Sequence, residues 1–268
     1  MLKRSILTTL AALFAAGVAH ADFRADLLKP NTIVVGTTGS APPFSMIDAS
    51  GKPAGFDVAV MEKVAAELGV KVEFVQLDWS GLLPGLVANR FDIVASGVTR
   101  TPERLASKDL IMLSPYIING VTVTKLASND AIKGWGDVCG KTVGAVRGAT
   151  EMAAIKASLA EGCIGKVVEY PGWTEASLDL KNKRIDWIGM DYLGPNFLSL
   201  SDKTISVLPD FRSPKTQSIA VSAKDKELAT AIDALFVKYR ADGSMNELVK
   251  TYFGQGVDFS KMPADPAK

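Results

Sequence analysis

Two series of strands alternating with helices, the second starting afresh past residue 140, constrain this chain more than any other feature of it. In the first series the β-branched run Thr32-Ile33-Val34-Val35 ends at Gly36, a strand leading into a turn. Asp57 opens a helix whose apolar positions Val58, Met61, Val64, Ala65 and Leu68 share one face, and Gly69 stops it. A strand over 70–77 follows, then a helix over 80–89 with Pro84 in its first turn, where proline is tolerated. Phe91-Asp92-Ile93-Val94-Ala95 reads as a buried strand. The second series places strands over 141–146, 166–170 and 184–190, with helices over 150–161 and 174–182. Phe91-Asp92-Ile93-Val94 and Ile185-Asp186-Trp187-Ile188 hold the same place in each.

Such alternation implies a mostly parallel sheet covered on both faces, an α/β fold. The restart implies two similar Rossmann-like lobes. A short strand over 217–221 and helices over 225–240 and 244–253, parted by Gly243, close the chain before a polar tail from Gly254 onward. The second lobe therefore reads as inserted: lobe 1 takes residues 22–118 and 217–268, and lobe 2 takes 119–216. Strand-like crossings near 116–120 and 214–218 would form a two-strand hinge, with a ligand cleft between the lobes.

Composition narrows the chemistry. Of 268 residues, 22% are charged with balanced sign, so no basic footprint for nucleic acid is expected. The chain has one histidine, His20, which falls in a leader. Lys3 and Arg4, the apolar run 6–18 and Ala19-His20-Ala21 have the layout of a signal peptide over residues 1–21. The run is shorter than the roughly 20 residues that span a bilayer, and no stable membrane insertion of the mature chain is expected. Cleavage after Ala21 removes those two bases and no acid, turning the formal net charge from +1 to −1. The mature chain then has no histidine for a triad, a proton relay or a zinc site; no metal and no cofactor are expected. In an oxidising compartment Cys139 and Cys163 are expected to pair, closing a loop worth on the order of 3 kcal/mol.

Several motifs, in order along nearly the whole mature chain, carry a resemblance: Pro42-Pro43-Phe44-Ser45-Met46, Gly55-Phe56-Asp57-Val58, Asp78-Trp79-Ser80-Gly81-Leu82-Leu83-Pro84, the run from Ser96 to Arg104, and Asp242-Gly243-Ser244 with Tyr252-Phe253-Gly254. Together they resemble the polar amino-acid family of periplasmic substrate-binding proteins, the receptors of ABC importers. The resemblance implies the type II periplasmic binding fold, a monomer in the periplasm, an L-amino-acid ligand and an inner-membrane ABC permease as partner.

A zwitterionic ligand needs donors for its carboxylate and an acceptor for its ammonium. Arg104 offers a planar bidentate grip on a carboxylate, although a surface pair with Glu103 or Asp109 would serve an arginine there equally. Ser96, Gly97 and Thr99 sit past a strand's carboxyl end, where loop backbone faces a crevice. The resemblance gives Arg104 the α-carboxylate and has Gly97 and Thr99 bond the same end of the ligand. In Arg147-Gly148-Ala149-Thr150 the start of a helix favours an anion. By resemblance Thr150 meets the carboxylate and Arg147 faces the ligand side chain. Asp191 is an N-cap by position and the α-ammonium partner by resemblance. Trp79 is implied to pack on the ligand.

Two departures bear on specificity. Ala41 stands where the family commonly has a stacking aromatic, which opens the pocket to a larger ligand, and Thr38 stands where receptors for Lys or Arg carry an Asp. With Arg147 facing the ligand, an acidic, amide-bearing or larger polar amino acid is expected; Glu151, if turned inward, would partly reverse that. The competing expectation is a dehydratase resembling the cyclohexadienyl or arogenate enzymes, with Glu151 as its proton donor.

Overall fold

The computed structural model describes residues 23–254. The leader assigned to residues 1–21 and the tail beyond Gly254 lie outside the described residues. The first series runs β1 (Thr32–Thr37), the short strands β2 (Ser40–Ala41), β3 (Ser45–Ile47) and β4 (Pro53–Ala54), α1 (Phe56–Leu68), β5 (Lys71–Gln76), α2 (Trp79–Val87) and β6 (Ile93–Thr99). Helix α3 (Pro102–Leu105) and β7 (Leu110–Met112) lead to β8 (Ile117–Leu126). The second series is β9 (Val143–Val146), α4 (Glu151–Ser158), β10 (Val167–Tyr170), α5 (Trp173–Lys181), β11 (Trp187–Asp191), α6 (Leu193–Ser201) and β12 (Ile205–Val207). Strand β13 (Arg212–Ser222) precedes α7 (Lys226–Ala241) and α8 (Ser244–Phe253).

Parallel strands β5-β1-β6 form one wing of a 10-stranded sheet and β10-β9-β11 the other. Between them β8 and β13 run antiparallel, with Ile117 opposite Gln217 and Val121 opposite Arg212. Past this seam β13 pairs with β6 and β7, while β8 pairs with β11 and β12. Both long strands thus belong to both halves, a two-strand hinge.

The repeated Asp explains why the halves look alike. Asp92 N donates to Val34 O (2.9 Å) and its Oδ2 accepts from Val34 N (2.7 Å). Asp186 N donates to Thr142 O (2.9 Å) and its Oδ2 accepts from Thr142 N (2.8 Å). Three residues before each Asp, Asn89 and Lys183 adopt left-handed φ angles of 55° and 58° respectively. Phe91 then lies over Gly36 and Ile185 over Gly144, where an added Cβ would come within 2.7 and 2.6 Å of those side chains. The central strands of each parallel wing, β1 and β6 in one and β9 and β11 in the other, are buried on both faces, as their sequences demand. Ile33 and Val35 face α1, α7 and α8, whereas Val34 and Val94 face Leu82 and Leu86 of α2. In the other wing Trp187 packs with Ile155 and Trp135, and Ile188 with Ala176 and Leu180. Cys139 and Cys163 form a disulfide, with Cys163 against the Trp187 cluster.

Three local expectations need correction. Helix α1 opens at Phe56, one residue before Asp57, which is fully buried and whose Oδ2 accepts from Gly97 N (2.6 Å). Helix α2 starts at Trp79, so Pro84 falls in its second turn and withholds an N–H from the helix interior. The strand expected over 217–221 is the end of β13, whose earlier residues Lys215, Thr216 and Gln217 are polar and hid the pattern.

Candidate functional site

A cleft of about 450 Å³ lies where the carboxyl ends of parallel strands from both wings meet, the usual place for a ligand on such sheets. Thr38, Ala41, Trp79, Ser96, Gly97 and Thr99 line it from the first half. Glu151 and Asp191 line it from the second, beside Trp173. A second space of about 310 Å³ against the seam shares Thr99, Glu151 and Asp191, and adds Thr150, Asn119 and Lys215.

The first wall is braced by its own hydrogen bonds. Ser96 Oγ bonds Thr38 Oγ1 at 2.9 Å and accepts from Thr38 N at 3.3 Å. Gly97 takes a φ of 64°, a left-handed conformation that favours glycine, with Phe44 close beneath it. Its N–H goes to Asp57 and its carbonyl accepts from Gln217 Nε2 (3.1 Å). Burial raises the Asp57 carboxyl to about 7 despite the Gly97 bond. Phe44 is itself pressed from below by Phe253 of α8, ring centroids 5.0 Å apart. Thr101 caps α3 by accepting from Arg104 N (3.3 Å), and this aims Arg104 back toward β6. Arg104 Nη1 donates to Thr99 O (2.7 Å), and the guanidinium lies 5.5 Å from the Trp79 ring centroid. Burial pulls its pKa down while Glu151 and Glu103 pull it back.

The second wall is acidic. Asp191 ends β11 and is 8% exposed. Its Oδ1 accepts from Asn119 Nδ2 (3.0 Å) and from Gly194 N (2.8 Å), so it helps to start α6 while facing the cleft. Burial raises its pKa, against the bonds from Gly194 and Asn119. Glu151 begins α4 as a half-buried residue, but its Oε2 is sealed from solvent with no hydrogen-bond partner. Burial, then the charge of Asp191, push the Glu151 carboxyl up to about 7; Arg104 and the backbone N–H groups of Glu151 and Thr150 oppose them. Across the mouth, Trp79 Nε1 donates to Gly148 O (3.1 Å), tying one half to the other.

Three expected residues stand differently. Arg147 is not among the cleft-lining residues: its side chain is 61% exposed and pairs with Glu169 at 3.5 Å. At a strand end, successive side chains point to opposite faces, and Arg147 takes the outer one. The Gly97 backbone, expected to bond the ligand, has both polar groups engaged within the protein. Arg104 stands behind Thr99 and Trp79 rather than on the lining itself. Sequence reasoning passed over Asn119, whose Oδ1 also accepts from Tyr192 N (3.1 Å) and Leu193 N (3.2 Å). A buried asparagine in a strand is an uncommon choice that would have marked it. It also passed over Trp173, which follows Pro171-Gly172 at the start of α5.

The profile of the bacterial extracellular solute-binding proteins, family 3, matches residues 33–255. The chain belongs to that family. A probable amino-acid ABC transporter-binding protein of Haemophilus influenzae is 28% identical over 96% of this chain and 99% of its own length. Among solved structures, an ancestral arginine-binding protein bound to glutamine is 30% identical with a TM-score of 0.76, covering 85% of this chain and 100% of the other. An ancestral amino-acid-binding protein described as a precursor of cyclohexadienyl dehydratase is 31% identical with a TM-score of 0.74, covering 83% and 96%. This family 3 protein has the type II periplasmic binding fold, and no described helix is long and apolar enough to cross a membrane.

Proposed function

We propose that this protein is a periplasmic receptor that closes its two lobes on an L-amino acid and delivers it to an ABC-type permease. The lobes would be residues 22–118 with 217–268, and 119–216, with residues 1–21 removed on export. One observation carries the reading: two carboxylates from one half line a cleft whose opposite wall is backed by a guanidinium from the other. Arg104 takes the α-carboxylate with the N–H donors left after its bond to Thr99 O, helped by Ser96, Thr99 and Thr150. Asp191 takes the α-ammonium, and Trp79 packs on the side chain. Groups from both halves must touch the same molecule, so binding and closure are one equilibrium.

The side-chain preference follows from charge. With Arg147 outside and Glu151 inside the cleft, an acidic side chain loses its partner, while amide-bearing and larger polar ligands keep theirs. The small Ala41 leaves room beside Trp173. Equilibrium titration with the proteinogenic amino acids tests this: a polar, non-acidic amino acid binding tightest supports it, and L-aspartate or L-glutamate binding tightest sinks it.

A second reading has Glu151 in its favour, a sealed acid raised to about 7 and therefore able to donate a proton near neutrality. The likeness to the dehydratase precursor is compatible with it. Incubation with prephenate or arogenate separates the two: catalytic formation of an aromatic product supports the enzyme, and unchanged substrate supports the receptor.

A further inference from the structure

We infer that Glu151 and Asp191 together seat the cationic group of the ligand, and that Glu151 gives up a proton to solvent as that group enters. This rests on the amino-acid receptor reading and adds a second carboxylate and a proton to it. Glu151 Oε2 is sealed from water, lacks a partner and lines both spaces of the cleft. A buried acceptor left unmade costs free energy, and a donor brought by a ligand removes that cost. Asp191 lines both spaces too and acts on Glu151 as a like charge. An acid raised by a second acid beside it forms with it a site whose missing member is a cation.

The other groups facing Glu151 fit this. From α3, Arg104 bonds Thr99 O and acts on Glu151 through space, with Glu103 beside it offsetting part of its charge. From β13, Lys215 lines the second space, and from β8 the neutral Asn119 holds Asp191 Oδ1. The empty cleft keeps Glu151 half protonated near pH 7, since its carboxyl is raised to about 7. When an ammonium arrives, the carboxylic O–H breaks, the proton passes to buffer, and the carboxylate formed accepts the ammonium's hydrogen bond. Affinity should therefore rise by about tenfold between pH 6 and pH 8, with about half a proton released per ligand at pH 7.

The test begins with thermal-shift screening of the wild-type protein against the proteinogenic L-amino acids and L-cystine. Those that bind, histidine and cysteine excepted because they titrate in this range, are titrated by calorimetry at pH 6, 7 and 8 in two buffers of different ionisation enthalpy. The expected result is the tenfold rise and a buffer-dependent heat, both lost in Glu151→Gln, which should retain the parent's cooperative melting. The wild-type measurement stands even if the variant fails to fold. Binding that is independent of pH and buffer overturns this inference alone, as does an unchanged pH dependence in Glu151→Gln. If no amino acid binds, the receptor reading fails and this one with it.

Discussion

The two halves share a junction and differ in the chemistry they hold over it. Asp92 and Asp186 tie equivalent strands with the same pair of bonds, to Val34 and to Thr142. Five residues beyond them, Gly97 in one half is locked by Asp57 and Gln217, whereas Asp191 in the other faces the cleft. The first half brings a base behind a braced wall; the second brings two acids, one with an unpartnered oxygen. In the receptor reading proposed above, this difference divides a zwitterion between the two copies of a repeated scaffold. Arg104 comes from one half and both cleft-lining acids from the other, so the proposed grip needs both.

Breaking the division should have the largest effect. Arg104→Ala removes the cation of the first wall and should weaken amino-acid binding by about 3 kcal/mol in calorimetry. An affinity equal to the parent's would place the carboxylate elsewhere. The shared junction can be broken next. Asp92 is 1% exposed and its carboxylate accepts from Val34 N and also from Leu28 N (3.0 Å). Asp186 is exposed and accepts from Thr142 N. Asp92→Ala should therefore cost about 3 kcal/mol in chemical denaturation and Asp186→Ala about 1 kcal/mol. Equal losses would mean that the junctions differ less than their burial implies. Trp79→Phe deletes the bond to Gly148 O across the mouth while keeping an aromatic face. It should cost about 1 kcal/mol of ligand affinity and enlarge the radius of gyration of the empty protein in solution scattering.

A smaller effect concerns pH. Asp57 and Glu151 are raised to about 7 and Asp225 to about 6, chiefly by burial. Each holds its proton in the folded state after the unfolded chain has released it, so stability falls as pH rises from about 4.5 to about 7. Acids held low, such as Asp202 at about 2, work in the opposite sense but below that window. The melting temperature of the empty protein should be higher at pH 5 than at pH 7.5, and Glu151→Gln should flatten part of that slope.

The wings were legible in the sequence because their central strands are buried on both faces and their helices carry one apolar stripe. Boundaries agree to within a few residues for α1, β5, α7 and α8. The seam was less legible, because β8 and β13 carry Asn119, Thr122, Thr124, Lys125 and Gln217 inside the protein, and their burial follows from tertiary pairing. In the site, residues read from backbone position, among them Ser96, Thr99, Thr150 and Asp191, do line the cleft. Arg147 and Glu151 were harder, since they flank the turn between β9 and α4, where neither strand nor helix periodicity says which side chain enters the cleft. The structure points Arg147 outward to Glu169 and turns Glu151 in.

Thermal denaturation of the protein with and without saturating amino acids tests the central claim most directly. An amino acid at 100 times its Kd should add about 2.7 kcal/mol of stability to the parent. Arg104→Ala at the same concentration should lose most of that gain. A parent whose melting no amino acid shifts would contradict the account.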